Sequence, residues 1–379
     1  MNIIIVRSLK GYPDSRVEKE IFSLSKENKL FLFGWNRYFN ADKITSESVD
    51  IFGKQINYYH YNHIAPIGLG FKKLFIPLLR YWIAEYRFLK NNINKFDAIH
   101  ACDFDTVLPA LLISKKFNKK IVYDIFDYYA DSHTAPKLLK IIIRKIENWV
   151  IGKSDATIIC SEKRKEQICG SNPKLLEIVH NTPIKFNSIN KEEFSVDKTK
   201  CNLVYVGVLT EGRYLKEIAN EISNRSDIVL HIGGWGPLSV YFKELSKKHS
   251  NIKFYGEIPY SSVLKLESAC DIMTALYDPI VPNHKFAAPN KFYESVMLGK
   301  PLIMIKNTGM DCYVSKEQLG EVIDLSKTDF QSGFKAAINH LIDNRCNWDE
   351  ICNRAKKLYD SNFSWDQMEI RLLNLYRNL

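Results

Sequence analysis

Pro289-Asn290-Lys291-Phe292-Tyr293-Glu294-Ser295-Val296-Met297-Leu298-Gly299-Lys300-Pro301 is the stretch whose reading decides the fold. Its spacing predicts a short helix. Pro289 suits the entrance, and Gly299 with Pro301 suits the exit. In a helix Lys291 and Glu294 lie one turn apart on one face. Lys291 then sits in the first turn, where backbone N–H groups are unpaired and a cation opposes the helix dipole. That placement makes sense when an anion stands in front of the helix. The plain alternative is a surface helix carrying an i,i+3 ion pair worth about 0.2–0.5 kcal/mol.

On both sides of this stretch the chain alternates short apolar runs with amphipathic segments. Strands are predicted at Leu203–Gly207, Ile228–Ile232, Ile252–Tyr255, Ile272–Leu276, Leu302–Ile305 and Glu321–Ile323. A Gly-containing loop and a helix from Tyr214 follow the first of these. The same alternation fills the first half, with strands at Ile3–Val6, Leu30–Phe33, Phe96–Ala101, Lys120–Asp124, Ala156–Cys160 and Leu176–Asn181. Helices are predicted at 15–27, Thr106–Phe117 and Leu138–Lys153. The pattern argues for parallel sheets covered on both faces. Residues 186–200 are polar and irregular and read as a linker. The expected fold class is therefore α/β, with two doubly wound Rossmann-like domains facing a central cleft. Their spans are 1–185 and 186–362, and a C-terminal amphipathic helix at 363–379 crosses back to the first domain. Ligands of open α/β sheets bind beyond the carboxyl ends of the strands.

A length of 379 residues suits two domains better than one core. No window of about twenty apolar residues lacks charge, so no membrane-spanning helix is expected. The N-terminus has no basic segment of the signal-peptide kind. The eight cysteines form no C-x-x-C pair and no zinc-ligand spacing with His, so reduced thiols in a cytoplasmic setting and no metal are expected. The net charge of +10 is uneven. Residues 1–185 hold 29 Lys and Arg against 19 Asp and Glu, and the remainder is balanced. Such asymmetry points to an anionic surface facing the first half.

In their order, the motifs resemble retaining glycosyltransferases of the GT-B type, specifically family four, over nearly the whole chain. Tyr205-Val206-Gly207 opens the second domain. Gly233-Gly234-Trp235-Gly236-Pro237 is similar to the family's Gly-x-Gly-Pro turn. Cys270-Asp271-Ile272 is similar to its Ala-Asp-Ile entry, and Pro289–Pro301 to its nucleotide-holding segment. Phe363-Ser364-Trp365 resembles the start of its last helix. Phe96–Asp103 and Val122-Tyr123-Asp124 resemble its acceptor-side strands.

The resemblance implies a nucleotide-sugar donor, with UDP expected, and a glycan or polyprenyl-linked acceptor. It implies no further cofactor. Glu294 would accept hydrogen bonds from the ribose hydroxyls, and Lys291 with Arg213 would neutralise the diphosphate. Gly207, Gly234, Gly236, Pro237 and Asn290 complete the expected donor site. Gly11, Asp127 and Tyr128 are expected on the acceptor side, with His100 and Asp103 orienting the acceptor or assisting as base. Three positions depart from the pattern. Phe286 stands where a first Glu is usual, leaving Asn283, His284 or the backbone of 286–288 to take its role. Val208 replaces an Arg, and Cys102 replaces a His.

Two further readings compete. A sugar-nucleotide epimerase could share the architecture. A basic nucleic-acid-binding protein would need a recognition module, and none is apparent. The sequence also predicts docking of the first half on an anionic membrane, at the inner face of the cell membrane. Apolar residues and cations interleave over 70–96 and over Lys137–Lys145, as interfacial helices require.

Overall fold

The structure, a computed structural model, describes residues 1–39, 41–65, 71–132, 136–185 and 194–379, excepting the side chains of Phe71 and Lys72. Most of the expected linker, residues 186–193, lies outside the described residues. The chain divides into two compact units, Met1–His180 with Asp366–Leu379, and Asn181–Trp365. The first break precedes the position read from the sequence because residues 181–183 bond into the second unit. The Tyr359 hydroxyl donates to the Pro183 carbonyl at 2.7 Å, and the Asn181 amide donates to Asn290 Oδ1 at 3.0 Å.

In the first unit, strands β1 (Asn2–Arg7), β2 (Lys29–Asn36), β3 (Lys43–Ile51), β4 (Lys54–Asn62), β5 (Ala98–Cys102), β6 (Lys120–Ile125), β7 (Ala156–Ile159) and β8 (Leu176–Ile178) form one sheet. Their order is β3-β4-β2-β1-β5-β6-β7-β8, parallel except for β3. The β3–β4 hairpin was not read from the sequence. Its register pairs Ile51 with Lys54, leaving Phe52-Gly53 as a two-residue loop with both φ positive. That backbone matches the right-handed twist of paired strands. The helices of this unit are α1 (Ser15–Leu24), α2 (Phe71–Asn91), α3 (Phe104–Phe117), α4 (Tyr129–Ser132), α5 (Lys137–Lys153) and α6 (Arg164–Gln167). Pro77 lies inside α2.

In the second unit, β9 (Cys201–Val208), β10 (Ile228–Trp235), β11 (Ile252–Phe254), β12 (Ile272–Ala275), β13 (Leu302–Ile305) and β14 (Gly320–Ile323) order as β11-β10-β9-β12-β13-β14. This is the doubly wound arrangement, with the strand order reversing between β9 and β12. In the first unit the reversal lies between β1 and β5. The near-continuous burial of β9, β10, β12 and β13 follows from helices on both faces. Those helices are α7 (Leu215–Ser223), α8 (Ser239–Lys248), α9 (Tyr260–Ala269), α10 (Asn290–Leu298), α11 (Asp311–Lys316), α12 (Phe330–Asp343) and α13 (Trp348–Leu358).

The last helix, α14 (Trp365–Arg377), runs from the second unit into the first. Its apolar side, Met368, Leu372, Leu375 and Tyr376, is buried. Polar contacts fix its register: Ser23 donates to Glu369 at 2.8 Å, and Arg371 donates to the Ile178 carbonyl at 3.0 Å. The Tyr376 hydroxyl bonds Nδ1 of fully buried His100 at 2.7 Å. Tyr376→Phe leaves that nitrogen without its partner. The expected loss is about 1–3 kcal/mol of unfolding free energy, read by urea denaturation. An unchanged midpoint would show that the contact carries no energy.

Candidate functional site

The site builds from α10. Pro289, extended at φ −70° and ψ 136°, leads into the helix. Gly299 ends it at φ +69°, where a Cβ would also lie 2.4 Å from Cys352 Sγ. Phe292, Tyr293, Val296 and Met297 turn inward at helical spacing and are buried. That packing fixes the opposite edge of the helix, where Lys291 and Glu294 lie side by side. Lys291 Nζ donates to Glu294 Oε2 at 2.8 Å. It also stands 3.3 Å from Oε1 of Glu267, which projects from α9. Both carboxylates are buried, and Lys291 is 12% exposed.

The anion in front of the helix, inferred from the awkward place of Lys291, is thus the chain's own Glu267. One ammonium serves two carboxylates. Burial and then the neighbouring Glu294 raise the Glu267 carboxyl to about 8, against the pull of Lys291. Burial lowers the Lys291 ammonium, but Glu267 and Glu294 outweigh it and hold the lysine above its ordinary range. Glu294 Oε1 and both Glu267 oxygens lack a well-formed hydrogen bond among the described residues, and the Tyr260 hydroxyl interacts with Glu294 from α9. Buried acceptors left this way are characteristic of functional sites and of places that hold water or an ion.

Arg213 joins the same cluster. Its guanidinium lies 3.7 Å from the centre of the Tyr277 ring, whose edge meets His284 at 5.0 Å. Tyr205, on β9, donates its hydroxyl to the Val208 carbonyl at 2.9 Å. Burial first, then Tyr277, raises this phenol to about 12, while Arg213 and Lys291 pull it down. Tyr205 therefore sits within the fields of Arg213, Lys291 and Glu294 together. The group gathers at the reversal between β9 and β12, where open α/β sheets take ligands.

The glycines of the expected donor turn have a steric reason of their own. Gly234, at φ +121°, lies against β9, and a Cβ there would stand 1.8 Å from the Gly207 carbonyl oxygen. A Cβ on Gly236 would stand 2.4 Å from the Leu209 carbonyl oxygen. Both are glycines because two backbone segments meet. Pro237 is exposed before α8, and Asn290 bonds Asn181.

In the first unit the structure corrects two acceptor-side expectations. Tyr128 is fully buried and donates its hydroxyl to Asn148 at 2.8 Å. His100 is fully buried, with Nδ1 on Tyr376 and Nε2 3.3 Å from Asp124 and 3.4 Å from Glu20. Both are core residues, because α14 and α5 cover the strand ends that the sequence left open. Gly11 is likewise buried, packed against Leu32.

Asp103 holds the loop after β6, accepting from the Phe126 and Asp127 amides at 2.9 and 3.2 Å. It also pairs with Arg7, which donates to Asp14 at 3.1 Å. Burial raises the Asp103 carboxyl to about 6, against the pull of Arg7. Asp127 is exposed and pairs with Arg164 at 2.9 Å.

Glu20, His100, Cys102 and Asp124 place their ligating atoms within 4.8 Å of one another. Arg16 already supplies the positive charge there, at 3.0 Å from Glu20 and 2.6 Å from Asp124. This donor set therefore fits an internal ion network better than a resident metal ion.

No family model matches the chain. The glycogen synthase of Mycobacterium tuberculosis is 22% identical over 298 residues, covering 74% of this chain and 68% of that protein. Among solved structures, Anabaena HepE in complex with UDP is similar over the full length of both chains, with a TM-score of 0.67 and 12% identity. The catalytic domain of Arabidopsis thaliana starch synthase IV, bound to ADP and acarbose, has a TM-score of 0.69 and 12% identity. It covers 100% of this chain and 99% of that one. The fold is accordingly GT-B, an α/β architecture of two Rossmann-like units.

Proposed function

We propose that the protein is a glycosyltransferase that moves a sugar from a nucleotide-sugar donor to a glycan or lipid-linked acceptor, with retention of configuration. One observation carries this reading. A buried carboxylate, Glu294, is paired with Lys291, and Arg213 acts with both on the same Tyr205, at the strand reversal of a GT-B unit. A carboxylate has about four acceptor sites, enough for both ribose hydroxyls. Arg213, stacked on Tyr277, is preorganised for a diphosphate. Lys291 has three donors, one of them directed to Glu294 with Glu267 at ion-pair distance, which leaves donor capacity for an incoming phosphate oxygen. Fixed cations there stabilise the charge that grows on the leaving phosphate. Glu267 acts behind Lys291, as a positioning residue.

UDP is the expected nucleotide, supported by the likeness to HepE, whose structure holds UDP. ADP is the alternative, since the starch synthase domain holds ADP. We place the enzyme at the inner face of an anionic membrane, on the strength of its basic first half. Thermal denaturation with UDP, ADP and GDP tests the donor reading. A ligand at 100 times its Kd adds about 2.7 kcal/mol to the stability of the folded state. UDP is expected to raise Tm most. No shift with any of the three nucleotides would overturn the reading.

A further inference from the structure

The first unit carries a groove that the proposed chemistry does not use. It has a volume of 760 Å³ and runs between α2 and α3, with α5 at one end. Leu79, Trp82, Ile83, Leu108, Leu112 and Trp149 line it, and Arg87 and Lys90 stand at its rim. Leu112 is 62% exposed and Trp149 53% exposed. Trp82 is held in place by a 2.7 Å hydrogen bond from its indole to the Asp105 carbonyl.

The same helices expose further apolar residues, Leu138, Ile141, Ile142 and Ile146 on α5 and Phe75 and Ile76 on α2. So many large apolar side chains in solvent mark an interaction site.

The charges around the groove are one-sided. Helices α2, α3 and α5 contain one carboxylate each, Glu85, Asp105 and Glu147, and all three are buried. The exposed cations on the same helices are Lys73, Arg80, Arg87, Lys90, Lys115, Lys116, Lys137, Arg144, Lys145 and Lys153. Asp42 approaches Arg80 from the side of β3. Arg144 is paired with Asp131 at 2.7 Å, but Arg87 and Lys90 in the groove's own lining face no carboxylate on these helices. An apolar channel flanked by indoles with these two cations matches one ligand chemistry, a hydrocarbon chain under an anionic headgroup. A second copy of this face would bring like charges together.

We infer that this groove takes an acyl chain of an anionic membrane phospholipid, while Arg87 and Lys90 meet its phosphate. The inference rests on the membrane-facing part of the function proposed above and makes it specific. A chain lodged in the groove would anchor the unit more firmly than surface charge alone. Surface cations near an anionic bilayer attract it only weakly one by one, and salt screens them.

The test uses the full chain with phosphatidylglycerol vesicles whose acyl chains carry bromine, which quenches tryptophan at contact. Trp82 and Trp149 are two of the six tryptophans. Brominated vesicles are expected to lower tryptophan emission relative to unbrominated ones. Trp149→Phe should shrink the loss. Leu112→Glu, at an exposed position, should abolish it while leaving the circular dichroism spectrum unchanged. Binding without bromine quenching would overturn the groove. Equal quenching by neutral phosphatidylcholine vesicles would overturn the headgroup assignment. A dimer in solution that Leu112→Glu dissociates would overturn the lipid as occupant. UDP binding is measured on the same samples. Intact UDP binding without quenching sinks the groove alone, and quenching without UDP binding sinks the donor reading alone.

Discussion

Lys291→Ala is expected to lower the unfolding free energy of the second unit by about 3–5 kcal/mol, because it strips the counter-ion from the buried Glu294, next to which Glu267 already holds a proton. Glu267 and Glu294 stand 3.3 and 2.8 Å from the ammonium. Removing Glu267 as well, in the Glu267→Gln/Lys291→Ala double variant, should recover part of the loss, since contacting residues do not add independently. Glu294→Gln separates folding from function. It removes charge-assisted hydrogen bonds to the ribose worth about 1.5–3 kcal/mol, so UDP affinity should fall by roughly 10- to 150-fold. Calorimetry with UDP and urea denaturation read the two effects.

A pH series isolates Glu267. Its folded carboxyl is raised to about 8 from 4.5, so the folded state holds a proton that the unfolded state has released. Its contribution to stability is full below about pH 4.5 and is lost as pH rises towards 8. The stability of Glu267→Gln relative to the parent should therefore climb through that window. A Lys291→Ala protein that unfolds at the parental urea concentration would refute the buried triad.

Arg16→Met should strike the first unit with similar force. Arg16 is the cation for Glu20 and Asp124, both fully buried beside His100. Without it, two carboxylates share an apolar site, at an expected loss of about 3–5 kcal/mol. Burial and Asp124 already raise Glu20 well above the ordinary carboxylate range, despite Arg16. A group raised in the folded state loses its stabilising contribution as pH rises. The deficit of Arg16→Met should therefore shrink as pH falls and the carboxylates take up protons. Circular dichroism in urea should show the first unit's transition displaced and the second unit's unmoved. A deficit that is flat with pH would mean Arg16 acts by packing rather than charge.

Helix α10 was legible to its ends, because Pro289, Gly299 and the inward spacing of Phe292, Tyr293, Val296 and Met297 agree. The parallel strands were legible for the same reason, as short apolar runs between amphipathic segments. The β3–β4 hairpin was missed because β3 is a polar edge strand and β4 beside it mixes Asn, Gln and His with its aromatic residues. The alternation Val49-Asp50-Ile51 before Phe52-Gly53 was the available signal. Glu267 escaped because a single Glu on a helix reads as solvent-facing. Its neighbours Val263, Leu264, Leu266 and Cys270 were the clue that it faces inward. Tyr205 and Tyr277 looked like ordinary strand aromatics, and only the strand reversal brings them to Arg213. His100 and Tyr128 were misjudged because a polar residue near a strand end implies a ligand only when no other element covers it. Spacing alone does not show that α14 and α5 do.

The placement of α14 also sets a timetable for synthesis. Residues 366–379 belong to the first unit, although the whole second unit separates them from residue 180 in the chain. On a ribosome, the first 180 residues emerge long before their covering helix. Until α14 has been made, His100 lacks Tyr376 and the surface that buries Met368, Leu372 and Leu375 stays wet. The second unit, continuous from 181 to 365, can close on its own first. The nascent first half is then the segment on which a holding chaperone would act longest, even though it leaves the ribosome earliest.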